Sequence, residues 1–184
     1  MSLVTTTQLT DALDHLRAAP HDEGPLVLVV RRPQRGEREL LDEATLNLEH
    51  GLVGDGWLDR ATDRAKAAGT HLQAQVTVMS ARMVALLADT PERRALAGDQ
   101  LYVDLDLSHD NLPAGARIAV GDTAVLEVSA RPHTGCAKFQ ARFGDDALAF
   151  VNSDEGRHLR LRGLNARLVA PGVVHPGDVV RRLP

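Results

Sequence analysis

Two periods of hydrophobic and polar residues run along this chain. Near its start Leu9, Leu13 and Leu16 recur at i, i+4 and i+7, which predicts a short amphipathic helix capped by Thr7 or Thr10, with Pro20 beyond its end. Residues 26–30 (LVLVV) form a continuous apolar run, too short for a helix and suited to a buried strand. Residues 31–38 turn around Pro33 and Gly36 as a hairpin loop, and a second strand is expected between Glu37 and Leu48. The glycine-rich stretch 51–57 and a polar, Ala-rich segment, 58–73, follow as a loop or short helix. Residues 73–79 alternate as a strand. Ser80 then caps a helix carrying Met83, Val84, Leu86 and Leu87 on one face, and Thr90-Pro91 opens another.

From Gly98 the pattern becomes short alternating strands at close spacing: 101–107, 117–120 and 123–130, separated by glycine turns. In the last of these, Val125 and Glu127 share one face and Leu126 and Val128 the other. A helical region is expected over 137–160, then strands over 164–170 and 178–182. The pattern predicts a mainly β, α+β fold, a partly closed β-barrel with small peripheral helices. Residues 1–25 would be an N-terminal helix and lead-in, and residues 26–184 the barrel domain.

The chain has 184 residues, 43% of them hydrophobic, enough for one domain with a buried core. A formal charge of −4 argues against a general nucleic-acid or anionic-membrane binder. No run approaches a membrane span and the first 20 residues lack the pattern of a leader, so a soluble cytoplasmic protein is expected. There are only two lysines, Lys66 and Lys138, neither in an evident pocket-forming loop, so a pyridoxal phosphate domain is not expected. Arginine is abundant by contrast, and Arg31, Arg32, Arg35 and Arg38 crowd the hairpin loop, as an anion-binding patch or a solvated tip.

The single cysteine, Cys136, excludes an intramolecular disulfide and a multi-cysteine metal cluster. It follows a strand in the loop Arg131-Pro-His-Thr-Gly-Cys, with Arg131, His133 and Lys138 close in sequence and a helix starting after it. Positive neighbours and a helix N-terminus favour the thiolate, the nucleophilic and metal-ligating form. The plain alternative is a buried thiol acting as a small hydrophobe. A zinc site would find at most His133 and Cys136 locally, and a cysteine hydrolase would need one of seven other histidines as its base. A thiolate on a transition metal, or one carrying a persulfide sulfur, needs only the one cysteine.

In family order, the stretches LAGDQLYVDLDL, NLPAGARIAVGDTAVLEVS, PHTGCAKF and LRGLNARLVAPGVVHPGD, preceded by GLVGDG, resemble the MOSC domain of molybdenum cofactor sulfurases. That domain also occurs in amidoxime-reducing components and in small stand-alone bacterial proteins. The resemblance covers about residues 26–182. It departs after Asp55, where Gly56-Trp57 stands in place of the His or Arg of many relatives.

The resemblance implies a barrel-like mixed fold and a role with the molybdenum cofactor (molybdopterin), with Cys136 as the functional cysteine and molybdenum ligand. In enzymes of the family such a cysteine ligates a molybdenum ion that reduces N-hydroxylated small molecules, with electrons from an external donor. The alternative it implies is an oxidoreductase-free role, a sulfur carrier or cofactor carrier for cofactor or metal–sulfur cluster assembly, supplied by a desulfurase. Cys136 and His133 are then the catalytic candidates. Arg131, Lys138, Arg160 and Arg162 are candidates for the cofactor's phosphate, with Arg157 beside them, and Arg160 and Arg162 would share a face if they lay on one strand. Asp55 would fix its loop by accepting backbone hydrogen bonds, and Asn152 and Ser153 would cap a helix or enter a polar pocket.

Overall fold

A computed structural model of the chain describes residues 3–184. Seven strands close a barrel: β1 (Glu23–Arg31), β5 (Val76–Ser80), β6 (Leu101–Val103), β7 (Arg117–Val120), β8 (Ala124–Val128), β9 (Leu164–Ala170) and β11 (Val179–Arg182). Their order is β11-β7-β8-β9-β5-β6-β1, and β1 pairs back onto β11 to complete the ring. The expected mainly β, α+β barrel is present, and its closure is complete. Every pair is antiparallel except β5–β6, which is parallel and therefore needs a crossover, supplied by helices α4 (Ala81–Leu87) and α5 (Pro91–Ala95). A short strand β2 (Glu39–Leu41) extends β1 outward. Strands β3 (Ala44–Asn47), β4 (Gly51–Leu52) and β10 (Gly172–Val174) form a small second sheet. The strand expected over 37–48 is thus two, β2 and β3, divided at a bend at Asp42 and serving different sheets.

Alternation sorts the side chains into two cores. Val76, Val78, Leu101, Val103, Leu126, Val128, Leu164 and Ala166 face the barrel interior, while Met79 and Tyr102 face outward into a second cluster. A bulge between Leu26 and Leu28 shifts the register of β1, so Leu26 and Val29 point inward and Val30 outward. The outer cluster is roofed by helices: Leu9 from α1 (Thr6–Asp11), Leu16 from α2 (Leu13–Arg17), Met83 from α4, Phe139 and Phe143 from α6 (Ala137–Phe143), and Val151 from α7 (Asp145–Asn152).

The first helix is capped by Thr5 in place of Thr7 or Thr10. Thr5 and Gln8 exchange hydrogen bonds in a capping box, an arrangement only Thr5 can make with a Gln three residues on. The helical region expected over 137–160 is three helices, α6, α7 and α8 (Asp154–His158), broken at Gly144 and Ser153; Ser153 caps α8 by accepting from the Gly156 N–H at 3.0 Å. Between Gln34 and Val76 lie α3 (Asp63–Ala67), a 3-10 turn (Thr70–Ala74), and Trp57 stacked on His71. Among the described residues no helix is long and apolar enough to cross a membrane.

Candidate functional site

Cys136 lies at the end of the loop joining β8 to α6, on the helix-covered side of the barrel, and it is exposed. The loop is pinned at both ends by amides the sequence did not single out as a pair. Asn165, on β9, donates to the carbonyls of Arg131 and Pro132 at 3.2 and 3.1 Å. Asn152 clasps Gly135, accepting from its N–H at 2.9 Å and donating to its carbonyl at 3.2 Å. Gly135 packs closely here: a Cβ there would stand 2.8 Å from Leu148 Cδ1 and 3.0 Å from Val151 Cγ2, so α7 side chains would have to shift to admit one. Asn152 therefore positions the cysteine loop from α7.

Burial pushes the Cys136 thiol up, yet the backbone N–H groups of Phe139 and Lys138 and the charges of Arg162 and Lys138 outweigh it and hold the thiol below its ordinary value. The buried-hydrophobe alternative fails on exposure, and the thiolate alternative gains a physical cause.

Beneath the loop is an ionic core. Asp99 is wholly buried between β6 and the end of α5; its Oδ2 accepts from Arg162 Nη1 at 2.6 Å and its Oδ1 meets His133 Nε2 at 2.7 Å. Burial would raise this carboxyl, but the charges and hydrogen bonds of Arg162 and His133 hold it down at about 2. The Asp99 backbone N–H donates to the Tyr102 hydroxyl at 3.3 Å. The Arg162 guanidinium also lies 5.1 Å over the Phe139 ring. His133 is thus oriented by a buried carboxylate, an arrangement that fixes its ring at the base of the cysteine loop.

The arginines are organised by the end of α5. Four arginines donate to four consecutive carbonyls that run from the last residue of α5, Ala95, through the turn that follows it to Gly98. Arg38 donates to Ala95, Arg142 to Leu96, Arg162 to Ala97 and Arg32 to Gly98. Arg162 points inward to Asp99. The other three face a solvent-open basin of about 710 Å³ that also takes in Arg35, Arg60 and Lys138, with Asp59 as the one carboxylate in its wall. Burial lowers the affinity of Arg38 and Arg60 for their protons, and neighbouring arginines lower it further, the mark of crowded positive charge.

Asp55 is buried below this basin. It accepts from the Arg32 side chain at 2.8 and 3.0 Å, from Arg60 at 3.0 Å and from the Trp57 N–H at 2.9 Å. Its role is to tie the glycine-rich loop to the hairpin and to aim two arginines at the basin.

On the other side of the cysteine loop, a second cavity of about 310 Å³ is lined by Arg131, His133, Arg160 and Arg162 among others. Arg160 and Arg162 do not lie on one strand, so they do not share a face in that way. Arg160 has φ 49, the one positive value outside glycine among the described residues, and Gly163 has φ 104 with its Cα packed so close to Val78 that a Cβ would fall 2.2 Å from the Val78 carbonyl. The chain therefore turns through 160–163 and β9 starts only at Leu164. Both arginines are buried but go separate ways, Arg162 to Asp99 and Arg160 to the carbonyls of Leu107 and Leu112.

The structure brings Cys136, His133, Arg131, Lys138, Arg162 and Asn152 to one face, with Arg160 in the cavity wall and Asp55 under the basin. The sequence missed Asp99, Asn165, Arg60 and Arg142. A charged residue directly before a buried strand was the one local sign of Asp99. The zinc alternative finds no group of three His, Cys, Asp or Glu side chains placed to hold an ion among the described residues.

Comparison with known proteins gives no matching family model and no matching curated protein. Solved structures do match. YuaD from Bacillus subtilis aligns at 20% identity and TM-score 0.58, over 86% of this chain and 94% of its own. YiiM from Escherichia coli aligns at 21% identity and TM-score 0.55, over 88% and 70%. YiiM from Geobacillus stearothermophilus aligns at 12% identity and TM-score 0.58, over 88% and 75%. At these identities the likeness is one of fold, and the fold is MOSC-like.

Proposed function

We propose that this protein binds the molybdenum cofactor, with the Cys136 thiolate as the protein's ligand to molybdenum and the basin of Arg32, Arg35, Arg38, Arg60, Lys138 and Arg142 as the seat of the cofactor's phosphate. The observation that carries the reading is the placement of an exposed, acid-shifted thiol at the end of a loop whose next turn, at Lys138, opens onto that basin. The donor set suits the group. A soft thiolate is the ligand such a metal takes from a protein, and guanidinium forks match phosphate oxygens with paired hydrogen bonds.

When bound, the cofactor would supply two-electron redox chemistry, reduction of a small N-hydroxylated or similarly oxidised molecule, with electrons delivered by a partner protein. This chain's own residues have simpler tasks. Lys138 and Arg162 favour the ionised form of the thiol, Asn152 and Asn165 hold the loop still, and Asp99 fixes the His133 ring through Nε2. His133, so oriented, is the group within the cysteine loop to which we assign the holding or moving of a proton.

A second reading, a carrier holding a persulfide on Cys136 for cofactor or metal–sulfur cluster assembly, is favoured by the same exposure of the activated thiol. Molybdenum analysis and intact mass, measured together on gently purified protein from cofactor-producing cells, separate the two. The cofactor reading expects molybdenum in the native protein. The carrier reading expects a reductant-labile gain of one sulfur and no metal, and that result, or neither signal, would overturn the first reading.

A further inference from the structure

The cavity on the His133 side of the cysteine loop carries a feature that the cofactor reading does not use. Arg160 is buried in its wall, and its hydrogen bonds go to neutral groups: Nη1 to the carbonyls of Leu107 and Leu112, and Nη2 to His109 Nδ1 at 3.1 Å. A guanidinium can only donate, so the His109 ring must accept here and is itself uncharged. Burial lowers Arg160's hold on its proton, with no carboxylate offsetting it. A buried cation without a counter-ion is costly unless an anion comes to it.

Two further observations point the same way. Arg131, Arg157 and Arg162 line the same cavity, Arg162 being already matched by Asp99, and no acidic side chain does so among the described residues. Arg160 also holds its guanidinium there from a backbone with φ 49, a conformation that glycine adopts without strain and arginine does not. Pro132, Val151 and Leu164 supply apolar surface in the same wall, beside the polar Ser129 and Thr134.

We propose that this cavity binds the oxyanion end of a small organic molecule, a carboxylate or a phosphate monoester on a compact apolar body, with Arg160 as the buried charge and Arg131 and Arg157 as exposed partners at its edge. The site is distinct from the arginine basin and does not depend on bound molybdenum. It shares residues 131–134 with the cysteine loop, so an occupant would sit beside His133.

The test is an NMR titration of the metal-free full chain, following the imidazole signals of His109 and His133 with benzoate, phenyl phosphate, inorganic phosphate and neutral benzamide as probes. Saturable shifts of His109 with benzoate or phenyl phosphate, and none with benzamide, are expected. Arg160→Gln should weaken that binding roughly ten-fold or more. Because Arg160 also ties the 107–112 loop, the exposed Arg157→Ala serves as the second variant and should weaken it several-fold with an unchanged melting temperature. Arg35→Ala, in the basin, should leave the His109 titration as it is. No saturable His109 shift with any of the three anions, equal binding of benzamide, or binding indifferent to both Arg160→Gln and Arg157→Ala would overturn the proposal. Because the protein is metal-free throughout, these results are separate from whether molybdenum binds to Cys136.

Discussion

Inside the barrel, Val78, Leu101, Leu126 and Ala166 meet with no polar side-chain atom among them; beneath Cys136, Asp99 is equally buried but lies between Arg162 and His133. The first region is held by apolar burial, worth roughly 1.5–3 kcal/mol for each fully buried aliphatic side chain. It tolerates exchange of one aliphatic for another of similar volume. The second is held by a few directional contacts between charged groups, each of which leaves an unmatched partner when removed. Stability is built into the barrel, and the geometry of the site into the ionic layer between barrel and helices.

Asp99→Asn should break this contrast most strongly. It leaves Arg162 buried beside a neutral group and is expected to cost about 3–5 kcal/mol in denaturant unfolding. The pH dependence has a definite sign. Asp99 is held below its ordinary value, so its contribution is full above the ordinary carboxylate range near pH 4 and is lost as pH falls through about 2. The gap in stability between wild type and Asp99→Asn should therefore narrow between about pH 4 and pH 2; a gap constant with pH would show that the carboxylate is not paired in the native state.

Leu126→Ala removes a wholly buried side chain from the barrel and should cost about 2–5 kcal/mol. The two variants differ in what else they change. Leu126→Ala should leave the pH profile of Cys136 alkylation where it is, because no barrel-interior group reaches the thiol. A shifted profile would mean that the interior and the site are coupled.

In the metal-free protein, Lys138→Ala is read at the thiol. It removes one of the charges that hold Cys136 down, so the midpoint of alkylation by iodoacetamide should move to higher pH with little change in stability. The smallest effect belongs to the barrel's outer surface, where Glu127 bridges Arg117 and Arg167 across three strands at 3.1 and 2.7 Å. Glu127→Gln should cost no more than about 1 kcal/mol in the same unfolding measurement, because these charges are exposed to solvent and screened.

The sequence made the apolar region readable and the ionic one largely unreadable. Alternation put Leu126 and Val128 on one face of β8 and Glu127 on the other, and in the fold the first of these faces is the inward one. Period alone determines that outcome once one face is buried. The cysteine loop was legible as well, because its charges and turn residues lie within eight positions of one another. Asp99 was not legible: its partners are 34 and 63 residues away, and nothing local distinguishes a buried ion pair from a turn.

Arg160 and Arg162 would have shared a face on one strand, but the strand expected from residue 164 begins there and both arginines lie before it. The close approach of Gly163 to β5 is a tertiary contact, and it turns the chain before β9 begins. For the basin, Arg32, Arg35 and Arg38 were visible as a cluster in the hairpin. Arg60 and Arg142 arrive from other elements, and only the fold shows that the carbonyls of Ala95, Leu96 and Gly98, at the end of α5 and in the turn after it, gather Arg38, Arg142 and Arg32 at its edge.

The central claim is that Cys136 is the protein's ligand to molybdenum. X-ray absorption at the molybdenum edge, recorded on cofactor-supplied wild type and on Cys136→Ser, tests it most directly. A thiolate sulfur around molybdenum is expected in the wild type and not in the variant, or else a variant that no longer retains the metal. Equal molybdenum content with identical spectra in the two proteins would contradict it, as would a wild type that takes up no molybdenum.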